Sequence, residues 1–262
     1  MTGFVVSGED MKILATDFDG TVNYGGWPRE KYEALRKWRE AGNLFGLVSG
    51  RGVPDLLMLS DENALICDFL IADNGAVIAM PDGGIISEET NDFSIARKLI
   101  NFLFKNPECT WASVRNAETE YFVKPGNIPL NPGDVHEDRL PEMDHFTQIS
   151  TSFPDIGTVP IVIGSIKSEF GGLLNPMQNN CCIDIVKGGI NKSVGIGNYA
   201  KFMGVLKNDI VVAGDNANDA DMIRDYRSYA VGGAIDSIKQ LATYTVYDIT
   251  ELIYKELEGD DN

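Results

Sequence analysis

The sequence predicts an α/β protein, a Rossmann-like parallel sheet core with a smaller α+β unit inserted into it. Three observations carry this expectation. Short apolar, β-branched runs alternate with helix-spaced patterns in the first and last thirds of the chain. Each run closes in a turn rich in Asp, Asn, Ser or Gly. Between these thirds the alternation breaks and a different pattern takes over.

The first run, 12–16, reads as a strand ending in acids and glycine. A helix follows, with Pro28 in its first turn, Tyr32, Leu35 and Trp38 at helical spacing, and Gly42 as its stop. A strand over 44–48 ends at Ser49-Gly50-Arg51, and a short helix over 55–60 leads to a third strand, 67–72, which ends at Asp73-Asn74-Gly75. Strands this apolar belong to a parallel sheet covered on both faces. Pro81-Asp82-Gly83-Gly84 then predicts a hairpin joining 76–80 to 85–87. Beyond it lie a helix carrying Ile95, Leu99, Phe102 and Leu103, strands at 110–114, 121–124 and 183–186, and an irregular, proline-rich loop over 125–141. After Gly188-Gly189 come a helix from Lys192, a strand over 210–213, a helix from Asn218, a strand near 229–231 and a last helix. In that last helix Asp248 and Glu251 have capping-box spacing.

Roughly 140 residues separate Ser49 from Lys192, and one further helix and strand would use only about 30 of them. A structureless loop of the remaining length is implausible in a compact domain, so 84–186 is expected to be an inserted domain and 1–83 with 187–262 the core.

Composition narrows the function. The 262 residues are 44% hydrophobic and 23% charged, as in globular proteins, and the net charge of −17 would repel nucleic-acid phosphates and anionic lipid. No apolar run approaches the roughly 18 residues of a membrane span, and the opening residues lack the basic region of a targeting signal. A cytoplasmic chain, monomeric or homodimeric, with neither nucleic acid nor membrane as partner is expected, and residues 1–10 read as a dispensable extension. Cys67, Cys109, Cys181 and Cys182 form no C-x-x-C pair and read as reduced, buried thiols, while His136 and His145 read as exposed surface beside the irregular loop.

In an open parallel sheet, ligands bind beyond the carboxyl ends of the strands. Those positions hold Asp17 and Asp19, Ser49, and Asp215 with Asn218 and Asp219. So many carboxylates at one crevice would repel each other unless a cation sat among them, and hard oxygen donors select Mg²⁺. Metal, hydroxyl, lysine and paired carboxylates are the parts of phosphoryl transfer, and Gly20 and Gly50 suit turns whose N–H groups approach a phosphate. Any one of these acids alone would read as a cap or turn residue, which is how Asp73-Asn74-Gly75 is read, at the edge of the site. Asp17, Asp19, Ser49 and Asp215 together exceed that explanation.

The four segments resemble, in order, the motifs of the haloacid dehalogenase superfamily, specifically the Cof-type phosphatases with a type IIB cap. Asp17-Phe18-Asp19-Gly20-Thr21 is similar to the first motif, which implies Asp17 as the nucleophile forming an aspartyl-phosphate and Asp19 as general acid and base. Ser49-Gly50-Arg51 resembles the second motif, Asn191-Lys192 the third, and Gly214-Asp215-Asn216-Ala217-Asn218-Asp219 the fourth. The resemblance implies phosphate binding by Thr21, Ser49, Gly50, Lys192 and Asn218. It implies a Mg²⁺ site formed by Asp17, Asp19, Asp215 and Asp219, a small phosphorylated metabolite as substrate, most often a sugar phosphate, and a cap that selects it. A phosphosugar mutase is the nearest alternative, though mutases usually lack the Ser-Gly-Arg form.

One rival signal comes from another class. Gly195, Gly197 and Ala200, with Asp215 downstream, match a dinucleotide-binding fingerprint of an oxidoreductase. That fingerprint needs a strand running straight into the first glycine, and Val186 is too far upstream. A helix with small residues packed on the sheet is the preferred reading.

Overall fold

The computed structural model describes residues 11–259. The expected extension, 1–10, lies outside the described residues. The chain opens with β1 (Ile13–Thr16), α1 (Arg29–Glu40), β2 (Leu44–Val48), α2 (Val53–Glu62), β3 (Phe69–Ala72), β4 (Val77–Ala79), β5 (Ile85–Glu88) and β6 (Asn91–Asp92). Next come α3 (Phe93–Leu103), β7 (Ala112–Arg115), β8 (Glu120–Lys124), β9 (Val135–His136), β10 (His145–Phe146), β11 (Gln148–Ser152), α4 (Thr158–Phe170), β12 (Leu174–Asn179) and β13 (Cys182–Lys187). The last third holds α5 (Lys192–Met203), β14 (Ile210–Gly214), α6 (Ala220–Asp225), β15 (Arg227–Val231), α7 (Asp236–Leu241), β16 (Tyr244–Val246) and α8 (Ile249–Glu258).

Eight strands form one sheet in the order β16-β15-β14-β1-β2-β3-β4-β5. It is parallel from β16 to β3, and β4 and β5 are antiparallel. Its central strands are apolar along their whole length because helices cover both faces. Trp38 and Leu35 of α1, Leu56 of α2 and Leu252 and Ile253 of α8 pack on one side. Ile196 and Tyr199 of α5, Met222 and Ile223 of α6 and Ile238 of α7 pack on the other. The glycines of the rejected dinucleotide fingerprint lie in α5, where Gly195 meets Gly75 so closely that a Cβ would clash with its backbone.

A second sheet, β12-β13-β11-β7-β8-β9, is antiparallel except for the β8/β9 pair. Helices α3 and α4 bury one face through Leu99, Ile100, Val159 and Ile166 against Val114, Ile149, Ile183 and Ile185. Strand alternation sends Arg115, Gln148, Ser150 and Asp184 to the opposite face. That face meets the carboxyl ends of the first sheet.

Several expectations need correction. The hairpin after Pro81 forms, but β5 pairs with β4 in the first sheet, so 85–88 belong to the core sheet and not to a unit starting at 84. Strands β11 and β12 and helix α4 were not anticipated. Gln148–Ser152 carries too few apolar residues to show a period, and α4 contains Pro160 and Gly164, both poor helix formers. Cys67 and Cys109 are buried as free thiols, whereas Cys181 and Cys182 are only half-buried. Both histidines are half-buried, with the His136 ring bonded to the Ile128 carbonyl and His145 beside Glu88. At α8, Asp248 caps the Thr250 and Glu251 amides as expected, but the Glu251 carboxylate accepts from the Tyr247 amide rather than from that of Asp248.

Candidate active site

Four neighbouring strands, β14, β1, β2 and β3, deliver their carboxyl ends side by side. The Asp17 amide donates to the Ala213 carbonyl and that of Ser49 to Ile71, which continues the sheet bonding one residue past the strands and fixes where both side chains emerge. The chain then turns sharply at Gly20, with φ of 81°, and its amide is held by Asn23 Oδ1 at 2.7 Å. Only glycine fits, since a Cβ here would stand 2.5 Å from Asp215 Oδ2.

Asp17, Asp215 and Asp219 offer carboxylate oxygens that all lie within 4.8 Å of one another. Lys192, at the start of α5, is fully buried and donates to Asp17 Oδ1 at 2.7 Å and Asp219 Oδ1 at 2.5 Å. The other Asp219 oxygen accepts from the Asp215 and Asn216 amides, and Thr21 Oγ1 donates to Asp215 Oδ1 at 3.0 Å. One ammonium among three carboxylates leaves a surplus of negative charge. Burial first, with Asp219 and Asp215 adding to it, raises the Asp17 carboxyl to about 8 against the opposing pull of Lys192. Burial and Asp219 push Asp215 up to about 6. Burial works against the Lys192 ammonium, but Asp17 and Asp219 outweigh it and hold the group protonated above its ordinary range. An all-oxygen, over-charged trio at a crevice fits a hard divalent cation.

The expected site residues do not all behave alike. Ser49, Gly50 and Asn218 line the cavity with Asp17, Asp19 and Asp215. Asp19 is not part of the carboxylate trio. Its side chain turns outward, half-exposed, and Arg51 clasps both of its oxygens at 2.7 and 3.0 Å, so the Asp19 carboxylate is engaged away from the trio. Thr21 is fully buried with its hydroxyl on Asp215, and Lys192 is committed to two carboxylates, so neither side chain lies on the cavity wall. Asp219 is fully buried, the one member of the trio that does not line the cavity.

The cavity measures about 470 Å³, and the second sheet roofs it with Ser150, Asn179, Asn180, Cys182 and Asp184. These residues sit on β11, at the β12–β13 hairpin and on β13, and no sequence motif marked them. Among the described residues lining the cavity the cations are Arg51 and Arg115, both already held by carboxylates. Asp184, an acid between buried Ile183 and Ile185, is the signal that could have drawn attention to the roof.

Comparison with known proteins agrees with this geometry. The profile of a family described as haloacid dehalogenase-like hydrolase matches residues 14–251. The 5-amino-6-(5-phospho-D-ribitylamino)uracil phosphatase YbjI of Escherichia coli (strain K12) is 23% identical over 245 residues, 89% of this chain and 90% of that protein. The phosphoglycolate phosphatase of Nitrosopumilus maritimus (strain SCM1) is 24% identical over 246 residues, 90% and 89% of the two chains. Among solved structures, a subclass IIB sugar phosphatase superposes with a TM-score of 0.75 at 17% identity, over 93% of this chain and 98% of its own.

Proposed function

The chain belongs to the haloacid dehalogenase-like hydrolase family as a phosphoric monoester hydrolase, and on that premise we propose that it is a cytoplasmic, Mg²⁺-dependent phosphatase acting on a small sugar or polyol phosphate through an aspartyl-phosphate. The observation that carries this reading is the buried Asp17, paired to Lys192 beside Asp215 and Asp219, at the floor of a roofed polar cavity.

Asp17, Asp215 and Asp219 are the residues that would hold or surround Mg²⁺. When bound, the ion supplies charge neutralisation for the trio and for the phosphoryl oxygens. Lys192 holds Asp17 Oδ1, which keeps the second oxygen free to face the phosphorus. That oxygen forms the new P–O bond as the ester bond breaks, and the departing oxygen takes a proton from Asp19. Water then attacks the aspartyl-phosphate, gives its proton back to Asp19 and releases inorganic phosphate with Asp17 restored. The Ser49 hydroxyl, the amides of the Gly50 turn and the Asn218 side chain are positioned to bind the phosphoryl oxygens.

The roof supports the substrate class. Asn179 and Asn180 supply amides, Ser150 a hydroxyl and Asp184 a carboxylate, with no free guanidinium or ammonium among them. Such a wall hydrogen-bonds a neutral, hydroxyl-rich leaving group and repels a carboxylated one. The inserted segment then acts as the cap that selects the substrate and dries the site.

The test is Asp17→Asn, which keeps the shape and removes the nucleophile. Folded Asp17→Asn protein should release no phosphate from a panel of phosphorylated metabolites that the parent hydrolyses with Mg²⁺. Turnover close to that of the parent would refute the assignment.

A further inference from the structure

The turn after β3, Asp73–Gly75, does more than reverse the chain. Asp73 and Asn74 are buried, non-glycine residues, and both have φ of 51°. That left-handed backbone costs roughly 1–2 kcal/mol per residue and persists only where the surroundings hold it. The turn is held on two sides. Its backbone faces the loop after β2, where the Asp73 amide donates to the Arg51 carbonyl at 3.0 Å and that of Asn74 to Ser49 at 2.8 Å. Its side chains face the second sheet. Arg115 Nε donates to Asp73 Oδ1 at 2.6 Å, Thr147 Oγ1 to Asp73 Oδ2 at 2.5 Å, and Asn74 Nδ2 to Gln148 Oε1 at 3.0 Å and Asp184 Oδ2 at 3.2 Å.

The second sheet also grips the loop directly. One Arg115 terminal nitrogen donates to the Gly50 carbonyl at 2.5 Å, and Gln148 Nε2 donates to the same oxygen at 2.9 Å. Two donors on one carbonyl fix the plane of the Gly50–Arg51 peptide. Because that unit is planar and trans, its N–H points the opposite way, and it donates to Ser49 Oγ at 3.2 Å on the cavity side. The guanidinium is suited to this as an ammonium is not, since its fork reaches Asp73, Gly50 and Glu120 at once.

We infer that Arg115 is a positioning residue for phosphate binding, acting with Gln148 through the Gly50 carbonyl, so that the Ser49–Gly50–Arg51 loop takes its working shape only while the second sheet is seated on the first. The inference rests on the phosphatase reading above and adds to it a coupling: the sheet that roofs the leaving group also sets the loop that grips the phosphate. Arg115 touches no substrate atom in this role. Its removal acts on phosphate affinity even for a substrate too small to reach the roof.

The test uses Arg115→Lys, which keeps a cation for Asp73, and Gln148→Leu, each in the full chain, with Glu120→Gln as a control that touches Arg115 but not the loop. Inorganic phosphate is the probe, as an inhibitor of p-nitrophenyl phosphate hydrolysis. Arg115→Lys and Gln148→Leu should each weaken phosphate inhibition about tenfold and raise the KM for the ester in parallel, in protein whose circular dichroism matches the parent's at the assay temperature, while Glu120→Gln changes neither. Amide hydrogen exchange at 49–51 should speed up about tenfold in Arg115→Lys, with exchange in β1 unchanged. The exchange arm does not depend on catalysis, so it separates a failure of this coupling from a failure of the phosphatase reading. Unchanged phosphate inhibition and unchanged loop exchange in Arg115→Lys would overturn the inference, as would a loss confined to bulky substrates.

Discussion

Arg51 grips Asp19 through both carboxylate oxygens, and this bidentate pair sits at the mouth of the cavity, away from the trio formed by Asp17, Asp215 and Asp219. On the proposed mechanism the two acids of the first motif have separate tasks. Asp19→Asn should lower turnover of a sugar phosphate by about 10²- to 10⁴-fold, the range of general acid–base catalysis, while the Mg²⁺ concentration for half-activation stays within about twofold of the parent. With p-nitrophenyl phosphate, whose leaving group needs no proton, the same variant should show a burst of nitrophenolate followed by slow turnover. Stopped-flow absorbance checks this, and a large rise in the Mg²⁺ requirement would return Asp19 to the metal shell.

Asp215 and Lys192 should fail differently. Asp215→Ala removes a cation-facing carboxylate and should raise the half-activating Mg²⁺ concentration by at least about tenfold. Lys192→Met leaves Asp17 and Asp219 buried against each other, and breaking a buried pair costs about 3–5 kcal/mol. In a chain of this size that is a fall of roughly 10 °C in thermal midpoint. Added Mg²⁺ should recover part of the loss in Lys192→Met and little in Asp215→Ala, as scanning calorimetry with and without the ion would reveal.

A different lysine stabilises the loop behind the first motif. Lys31 is fully buried, and its ammonium donates to the Val22, Tyr24 and Gly26 carbonyls at 2.8, 2.7 and 2.6 Å. Lys31→Met leaves these acceptors without their donor, at an expected cost of about 3 kcal/mol, since each unsatisfied buried group costs about 1–3 kcal/mol and water can reach some of them. Urea denaturation should show a lowered midpoint with an unchanged slope. Because Asn23 in the same loop holds the Gly20 amide, turnover should fall as well.

The roof should be convertible. Asn179→Lys places an ammonium over the leaving group, where the present wall offers amides and a carboxylate. The ratio of kcat/KM for phosphoglycolate to that for a neutral sugar phosphate should rise by about tenfold, a change of roughly 1.4 kcal/mol in relative transition-state binding. An unchanged ratio would mean that Asn179 does not face the departing group.

The floor of the site was legible in the sequence because each of its parts is local. A strand pattern that ends in a short polar residue with a glycine close by announces Asp17, Ser49 and Asp215 one at a time, and parallel topology brings the ends together. The side chains that join the sheets were not legible. Asp73 and Asn74 read as a turn, which they form, but nothing nearby says that both side chains are buried by Arg115, Thr147 and Gln148 from distant strands. Strand β11 went unread for the same reason. It faces a polar interface, so Gln148, Ser150 and Ser152 replace the apolar alternation that marks a strand over a core. Thr21 shows the converse. Its motif points to phosphate, but its hydroxyl is bonded to Asp215.

The register of β1 carries a consequence for synthesis. Ile13 lies opposite Leu44 on one side and Ile210 on the other, so β1 is flanked by a strand made soon after it and by one made near the end of translation. Every strand of the second sheet, 112–187, leaves the ribosome before β14 does. During that interval the β14-facing edge of β1 lacks its native partner, and the ribosome delivers Asp215 to the strand ends only after the whole roof has been made.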